Sequence, residues 1–213
     1  MNMISTLDLT QNPRLVKLDC SGNCLKSLDV SHNSVLMELR CMLNELVALE
    51  TDRNPKLTVL HCAFNRSLKA LDVTGNPLLK ELVCTENSLS SLDVSHNLEL
   101  KKLMCCLLYR NSLSSLDVSH NRSLNWLSCG ENLLTTLDVS HNSVLETLWC
   151  NDNQLTTLDL SGNPILRKLY CCNNRLSSLD LSKNKFLEPR NVSDHGNCFP
   201  EEEGSIVVNS CSF

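Results

Sequence analysis

The 213-residue chain has few aromatic residues, 4% of the total, so a globular core built on rings is excluded. Neither sign of charge dominates: 19 Lys and Arg stand against 24 Asp and Glu, a net charge of −5. That balance supplies no basic face, and nucleic acid is not an expected partner. No apolar run approaches the ~20 residues a membrane-spanning helix needs, so no span is expected. The segment Met1-Asn2-Met3-Ile4 lacks a basic stretch followed by an apolar one, so no signal peptide is visible. Among the 13 cysteines there is no C-x-x-C pair, which removes the zinc-ribbon signature.

What the chain does have is leucine at regular intervals. Two half-units of about 11 and 10 residues alternate, giving a period of about 21. The first reads L-x-x-L-D-V-S-x-N, as in Leu89-Ser90-Ser91-Leu92-Asp93-Val94-Ser95-His96-Asn97. The second reads L-x-x-L-x-C-x-x-N, as in Leu145-Glu146-Thr147-Leu148-Trp149-Cys150-Asn151-Asp152-Asn153. Positions 4 and 6 of each half-unit are apolar, the period-2 spacing of a short strand with one buried face. Positions 3 and 5 then point outward, and the asparagine at position 9 serves the turn. No stripe at helical spacing occurs. The expected fold is a right-handed parallel β-solenoid with two short sheets back to back around a leucine core, and little helix.

The L-x-x-L-x-C-x-x-N-x-L run resembles bacterial leucine-rich repeats of about 21 residues, the internalin-J type with its cysteine column and the nested short repeats called IRREKO. The resemblance covers about residues 2–186. It implies a recognition or adhesion protein, extracellular or at the cell surface, that is not an enzyme. Several features depart from the pattern. Asn2-Met3-Ile4 matches Asn23-Cys24-Leu25, so the repeats begin inside a coil with no N-terminal cap. Thr51 stands where Val or Leu points inward, so the third coil is expected to pack less well. Cys105 to Asn111 is three residues longer than its counterpart Cys84 to Asn87, which predicts a bulge. The repeat domain is placed at 1–186. Residues 187–213 are read as an irregular tail or partial cap, in which Ile206-Val207-Val208 packs on the last coil.

Several columns can carry chemistry. One cysteine per coil (Cys20, Cys41, Cys62, Cys84, Cys105, Cys129, Cys150, Cys171) occupies inward position 6 and reads as a buried thiol filler, with a metal column as the alternative. The doublet partners Cys106 and Cys172 are expected in turns. Asp8, Asp29, Asp72, Asp93, Asp117, Asp138, Asp159 and Asp180 share position 5 of the other half-unit, where Ser or Thr two residues earlier can donate to them; a calcium-bearing face is the alternative. His32, His96, His120 and His141 fall in a turn slot that also takes Gly, Lys and Arg. No catalytic constellation, metal site or cofactor is expected.

The outward positions of the cysteine-bearing half-units are the most varied. Position 3 runs Lys17, Glu38, Val59, Glu81, Lys102, Trp126, Thr147, Lys168, and position 5 runs Asp19, Arg40, His61, Val83, Met104, Ser128, Trp149, Tyr170. Both tryptophans lie there. Exposed aromatic clusters are enriched at binding hot spots. Lys102, Met104, Trp126, Ser128, Thr147, Trp149, Lys168 and Tyr170 are therefore the expected ligand-binding patch, for a protein or a glycan. The alternatives are a structural spacer, or part of a larger leucine-rich-repeat effector whose catalytic domain lies elsewhere.

Overall fold

A computed structural model of the chain describes residues 2–106, 111–187 and 192–193. It is a parallel solenoid without helix among those residues. Each cysteine-bearing half-unit supplies one three-residue strand: β1 Lys17–Asp19, β2 Glu38–Arg40, β3 Val59–His61, β4 Glu81–Val83, β5 Lys102–Met104, β6 Trp126–Ser128, β7 Thr147–Trp149 and β8 Lys168–Tyr170. A ninth, β9 Val192–Ser193, follows the last regular repeat. They form one parallel sheet in chain order. Like positions pair in every ladder from β1 to β8, as in Trp126↔Thr147 and Ser128↔Trp149. The repeat dictates this register. A slip of one residue would turn the buried leucine row, Leu39 to Leu169, out to solvent.

The core is a stack of leucines. Position 1 (Leu25, Leu36, Leu46 and onward to Leu176) is fully buried in every coil from the second on. The second expected sheet is absent among the described residues, where the aspartate-bearing half-units run without strand pairing. Each of Asp8, Asp29, Asp72, Asp93, Asp117, Asp138, Asp159 and Asp180 accepts the backbone N–H two residues ahead at 2.8–2.9 Å. This local Asx turn satisfies the position-7 donor within its own half-unit.

Two asparagine ladders bind the coils together. In the cysteine-bearing half-unit, Asn132 Nδ2 donates to Cys129 O at 3.1 Å, Gly130 O at 2.8 Å and, on the preceding coil, Cys105 O at 3.4 Å, while its Oδ1 accepts the N–H of Leu113 at 3.1 Å. Asn44, Asn65, Asn153 and Asn174 repeat the arrangement. Asn111 keeps its place in the ladder, donating to Cys84 O and Cys105 O at 3.0 Å, so the three extra residues before it leave the register intact. The expected bulge itself, Leu107 to Arg110, lies outside the described residues, as does Ile206-Val207-Val208.

Thr51 does not loosen the third coil. It is buried, and its hydroxyl donates to Asn76 Oδ1 at 2.8 Å. In the same ladder the buried Oδ1 atoms of Asn33, Asn54, Asn97, Asn121, Asn142, Asn163 and Asn184 accept no hydrogen bond, because a Leu or Val stands where Thr51 does. Thr51 therefore satisfies an acceptor that the commoner residue leaves bare.

Candidate recognition face

The strands carry positions 3 and 5 outward in two registered rows, as the spacing required. At the end nearer β8 the rows bring three rings together. The Trp126 and Trp149 centroids lie 5.9 Å apart with planes tilted by 52°, and Trp149 meets Tyr170 edge to face at 5.2 Å. All three rings are half-buried. Tilted aromatic contacts of this kind contribute about 0.5–1.5 kcal/mol beyond area burial, so the cluster is a firm surface. Lys102 Nζ lies 5.8 Å from the Trp126 ring centre. Met104 is half-buried beside it and Lys168 is exposed.

Two of the eight expected patch residues are not at the surface. Ser128 is 0% exposed and Thr147 is 4% exposed. Both are small and stand in register beside a ring, Ser128 opposite Trp149 and Thr147 opposite Trp126. Alternation told which way they point, but a small side chain beside a large ring lies beneath its level. The Ser128 hydroxyl contacts Cys106 Sγ at 2.7 Å. The indole N–H groups of Trp126 and Trp149 are also buried, with no acceptor among the described residues. The patch thus offers apolar rings and lysines but few directional polar groups.

Toward β1 the same face is charged. Glu38 bonds Lys17 at 2.6 Å and Arg40 at 3.1 Å. Glu81 Oε1 accepts a hydrogen bond from Lys102 Nζ at 3.0 Å and stands 3.2 Å from His61 Nε2, which is buried and makes no hydrogen bond to it. Burial holds the charged form of His61 down, partly offset by Glu81. This shared carboxylate is not legible in the repeat, because it depends on how long side chains reach along one row.

The remaining columns are structural. The cysteines from Cys20 to Cys150 at position 6 carry free thiols buried in the core. Burial pushes Cys20 up to about 11 and Cys62 up to about 12, far from thiolate chemistry. Cys106 and Cys172, expected in turns, are buried as well, and burial pushes the Cys106 thiol up to about 11. The aspartates are relieved by the residue two ahead rather than two behind. The N–H and hydroxyl of Ser119 hold Asp117 below its ordinary value, and Ser140 does the same for Asp138. Histidines 32, 96, 120 and 141 each contact the preceding serine hydroxyl through Nδ1 at 3.1–3.2 Å. No group of three or more metal-ligating side chains occurs among the described residues. Nor, among them, is any helix long and apolar enough to cross a membrane.

The Leucine Rich Repeat family matches residues 154–180, and a second family described as Leucine Rich repeat matches residues 64–79. No curated protein matches the chain in sequence. Among solved structures, the functional domain of InlJ from Listeria monocytogenes, described as including a cysteine ladder, is 33% identical with a TM-score of 0.78. The alignment covers 96% of this chain and 49% of that one. A leucine-rich-repeat protein of Leptospira interrogans is 24% identical with a TM-score of 0.77, over 89% of this chain and 51% of that one. An internalin, InlF, from Listeria monocytogenes is 19% identical with a TM-score of 0.83, over 92% of this chain and 59% of that one. The last two likenesses concern the fold alone. The chain spans about half the length of these structures. Its repeat, its buried cysteine column and these likenesses match the chain to the bacterial internalin-like leucine-rich-repeat proteins.

Proposed function

We propose that this chain is a non-catalytic recognition module that binds a protein partner through the outer face of the cysteine-bearing sheet, outside the cell or at its surface. The observation that carries the reading is the contiguous, half-exposed cluster of Trp126, Trp149 and Tyr170 on three adjacent coils. Leucine-rich repeats are in general protein-interaction modules, and the anchor fits that role. A protein is favoured over a glycan by the polarity of the patch. Sugars demand donors and acceptors placed against their hydroxyls. Here Ser128 and Thr147 are buried and both indole N–H groups face inward, so the rings offer apolar contact without that reading. Their mutual tilt also denies a flat platform for stacking.

The test is a binding screen against extracellular proteins, followed by paired substitutions. Trp149→Ala with Tyr170→Ala is expected to weaken the partner found by roughly 30-fold or more, the equivalent of about 2 kcal/mol at a hot spot. Ser115→Ala with Thr136→Ala, on the aspartate side, is expected to leave affinity unchanged. Thermal unfolding checks that both pairs still fold. Loss of affinity in the second pair alone sinks the assignment.

A further inference from the structure

We propose that His61 regulates the aromatic patch at a distance, by competing with Lys102 for the single carboxylate of Glu81. The consequence for binding rests on the recognition reading above, whereas the relay itself is a property of the chain alone. The three groups stand on successive strands β3, β4 and β5. His61 Nε2 and Lys102 Nζ approach the same oxygen, Glu81 Oε1, at 3.2 and 3.0 Å. Lys102 Nζ lies 5.8 Å from the centre of the Trp126 ring on β6. The ammonium is thus held between a carboxylate and an indole, and the carboxylate is shared with the one side chain type whose charge changes near neutral pH.

While His61 is neutral, Glu81 serves Lys102. When His61 gains a proton, its ring N–H becomes a charged donor at that oxygen, and the two cations repel each other. The side chain that yields is the looser one. His61 has two rotatable bonds and is 15% exposed, whereas Lys102 has a four-carbon stem and is 37% exposed. Lys102 leaves Oε1, and the charge beside Trp126 is redistributed. The other charges facing His61 are Arg40 on β2, itself bonded to Glu38, and Asp19 on β1. Arg40 and Lys102 oppose the protonation of His61 and Glu81 favours it, with burial the largest influence. The transition therefore falls below the ordinary histidine value of 6.5. His61 is three strands from Trp126, roughly 14 Å at about 4.8 Å per strand, so contact between them is excluded and any coupling passes through Lys102. A partner seated on the rings then meets a different charge at the β5 edge of the patch in mildly acidic surroundings.

The experiment needs no partner. Trp149→Phe leaves Trp126 as the sole tryptophan of a chain that has two. Its emission is followed from about pH 8 to about pH 5, the span in which histidine titrates. One transition is expected, with its midpoint below 6.5. It is expected to vanish when His61→Gln is added, and equally with Lys102→Met. Circular dichroism verifies folding, and Glu81→Gln, which removes the shared negative charge without touching the histidine, must also abolish the transition. Absence of a transition in the Trp149→Phe protein overturns the relay. So does its survival in a folded His61→Gln, Lys102→Met or Glu81→Gln variant. A relay that passes while the alanine pair leaves partner affinity intact discards the recognition patch and keeps the switch.

Discussion

At the scale of single residues, the asparagine ladders show how a polar atom inside a leucine core is made tolerable. Asn132 makes four hydrogen bonds from one side chain, three of them to carbonyls that the turn leaves without backbone donors. In the aspartate-bearing half-units the accounting is less complete, and Thr51 is the informative exception. Replacing Thr51 with Val inserts the residue common elsewhere in the column, which pattern alone would rate as an improvement. The structure reverses that expectation. Thr51→Val removes the donor to Asn76 Oδ1 and leaves a buried acceptor bare. Leaving such an atom unpaired costs about 1–3 kcal/mol, partly offset by one added buried methyl worth about 0.8 kcal/mol. A net loss of about 1 kcal/mol is expected in urea unfolding, and a stabilised variant would refute the account.

At the scale of the half-unit, the apolar pattern alone does not decide whether a strand pairs. Both halves share inward apolar positions 4 and 6, so the period-2 pattern reads equally as strand in each. Aspartate at position 5 is not sufficient to separate them, because Asp19 accepts the Ser21 N–H at 3.0 Å and still pairs in β1. In the column from Asp8 to Asp180 the carboxylate closes on the amide two residues ahead, and among the described residues those half-units have no ladder. The same bond has a pH signature. The backbone and hydroxyl donors hold each of these carboxylates below its ordinary value, so the folded chain binds fewer protons than the unfolded one near that value. Their contribution is complete above the ordinary aspartate value of 3.8 and is lost as pH falls through the lower folded values. Urea midpoints are expected to be level through neutral pH and to drop in acid. Asp117→Asn, whose amide oxygen can still accept the Ser119 N–H, should flatten the acid limb while lowering stability at neutral pH. An unchanged slope would show that the column does not govern acid unfolding.

The same half-units mark how far sequence reasoning reached. Register, inward leucines and the two outward rows follow from spacing, since every coil repeats them. Depth does not follow: Ser128 and Thr147 point outward but are covered, because coverage depends on the size of the neighbour one coil away. Cys106 and Cys172, expected in turns, are buried for the same reason that spacing does not report depth. The Asx turn is legible in the Asp-x-Ser and Asp-x-Thr spacing, whereas the loss of pairing is not, since Asp19-Cys20-Ser21 has that spacing within a paired strand.

At the scale of the whole molecule, the cysteines report on integrity. Of the eleven described, all but Cys24 are buried, and those of the column from Cys20 to Cys150 have thiols displaced far toward the protonated form. A thiol reagent at neutral pH is expected to modify Cys24 first among them and to leave the column silent until denaturant is added, as read by peptide mass spectrometry. Rapid native modification of Cys84 or Cys129 would contradict the packing.

A ladder on one side only also has a mechanical meaning. The sheet fixes the rise between coils at about 4.8 Å, and its strand-to-strand bonds resist stretching. Among the described residues the aspartate side has side-chain packing, asparagine bridges between its turns and one backbone bond per coil where the half-unit begins, as from Leu133 N–H to Leu113 O, and no strand pairing. Bending therefore opens and closes that side, while the sheet behaves as the inextensible edge of a strip. Trp126, Trp149 and Tyr170 are mounted on that edge. Their mutual spacing is kept while the rest of the molecule flexes, so a partner meets the same three rings whatever curvature the solenoid has at that moment.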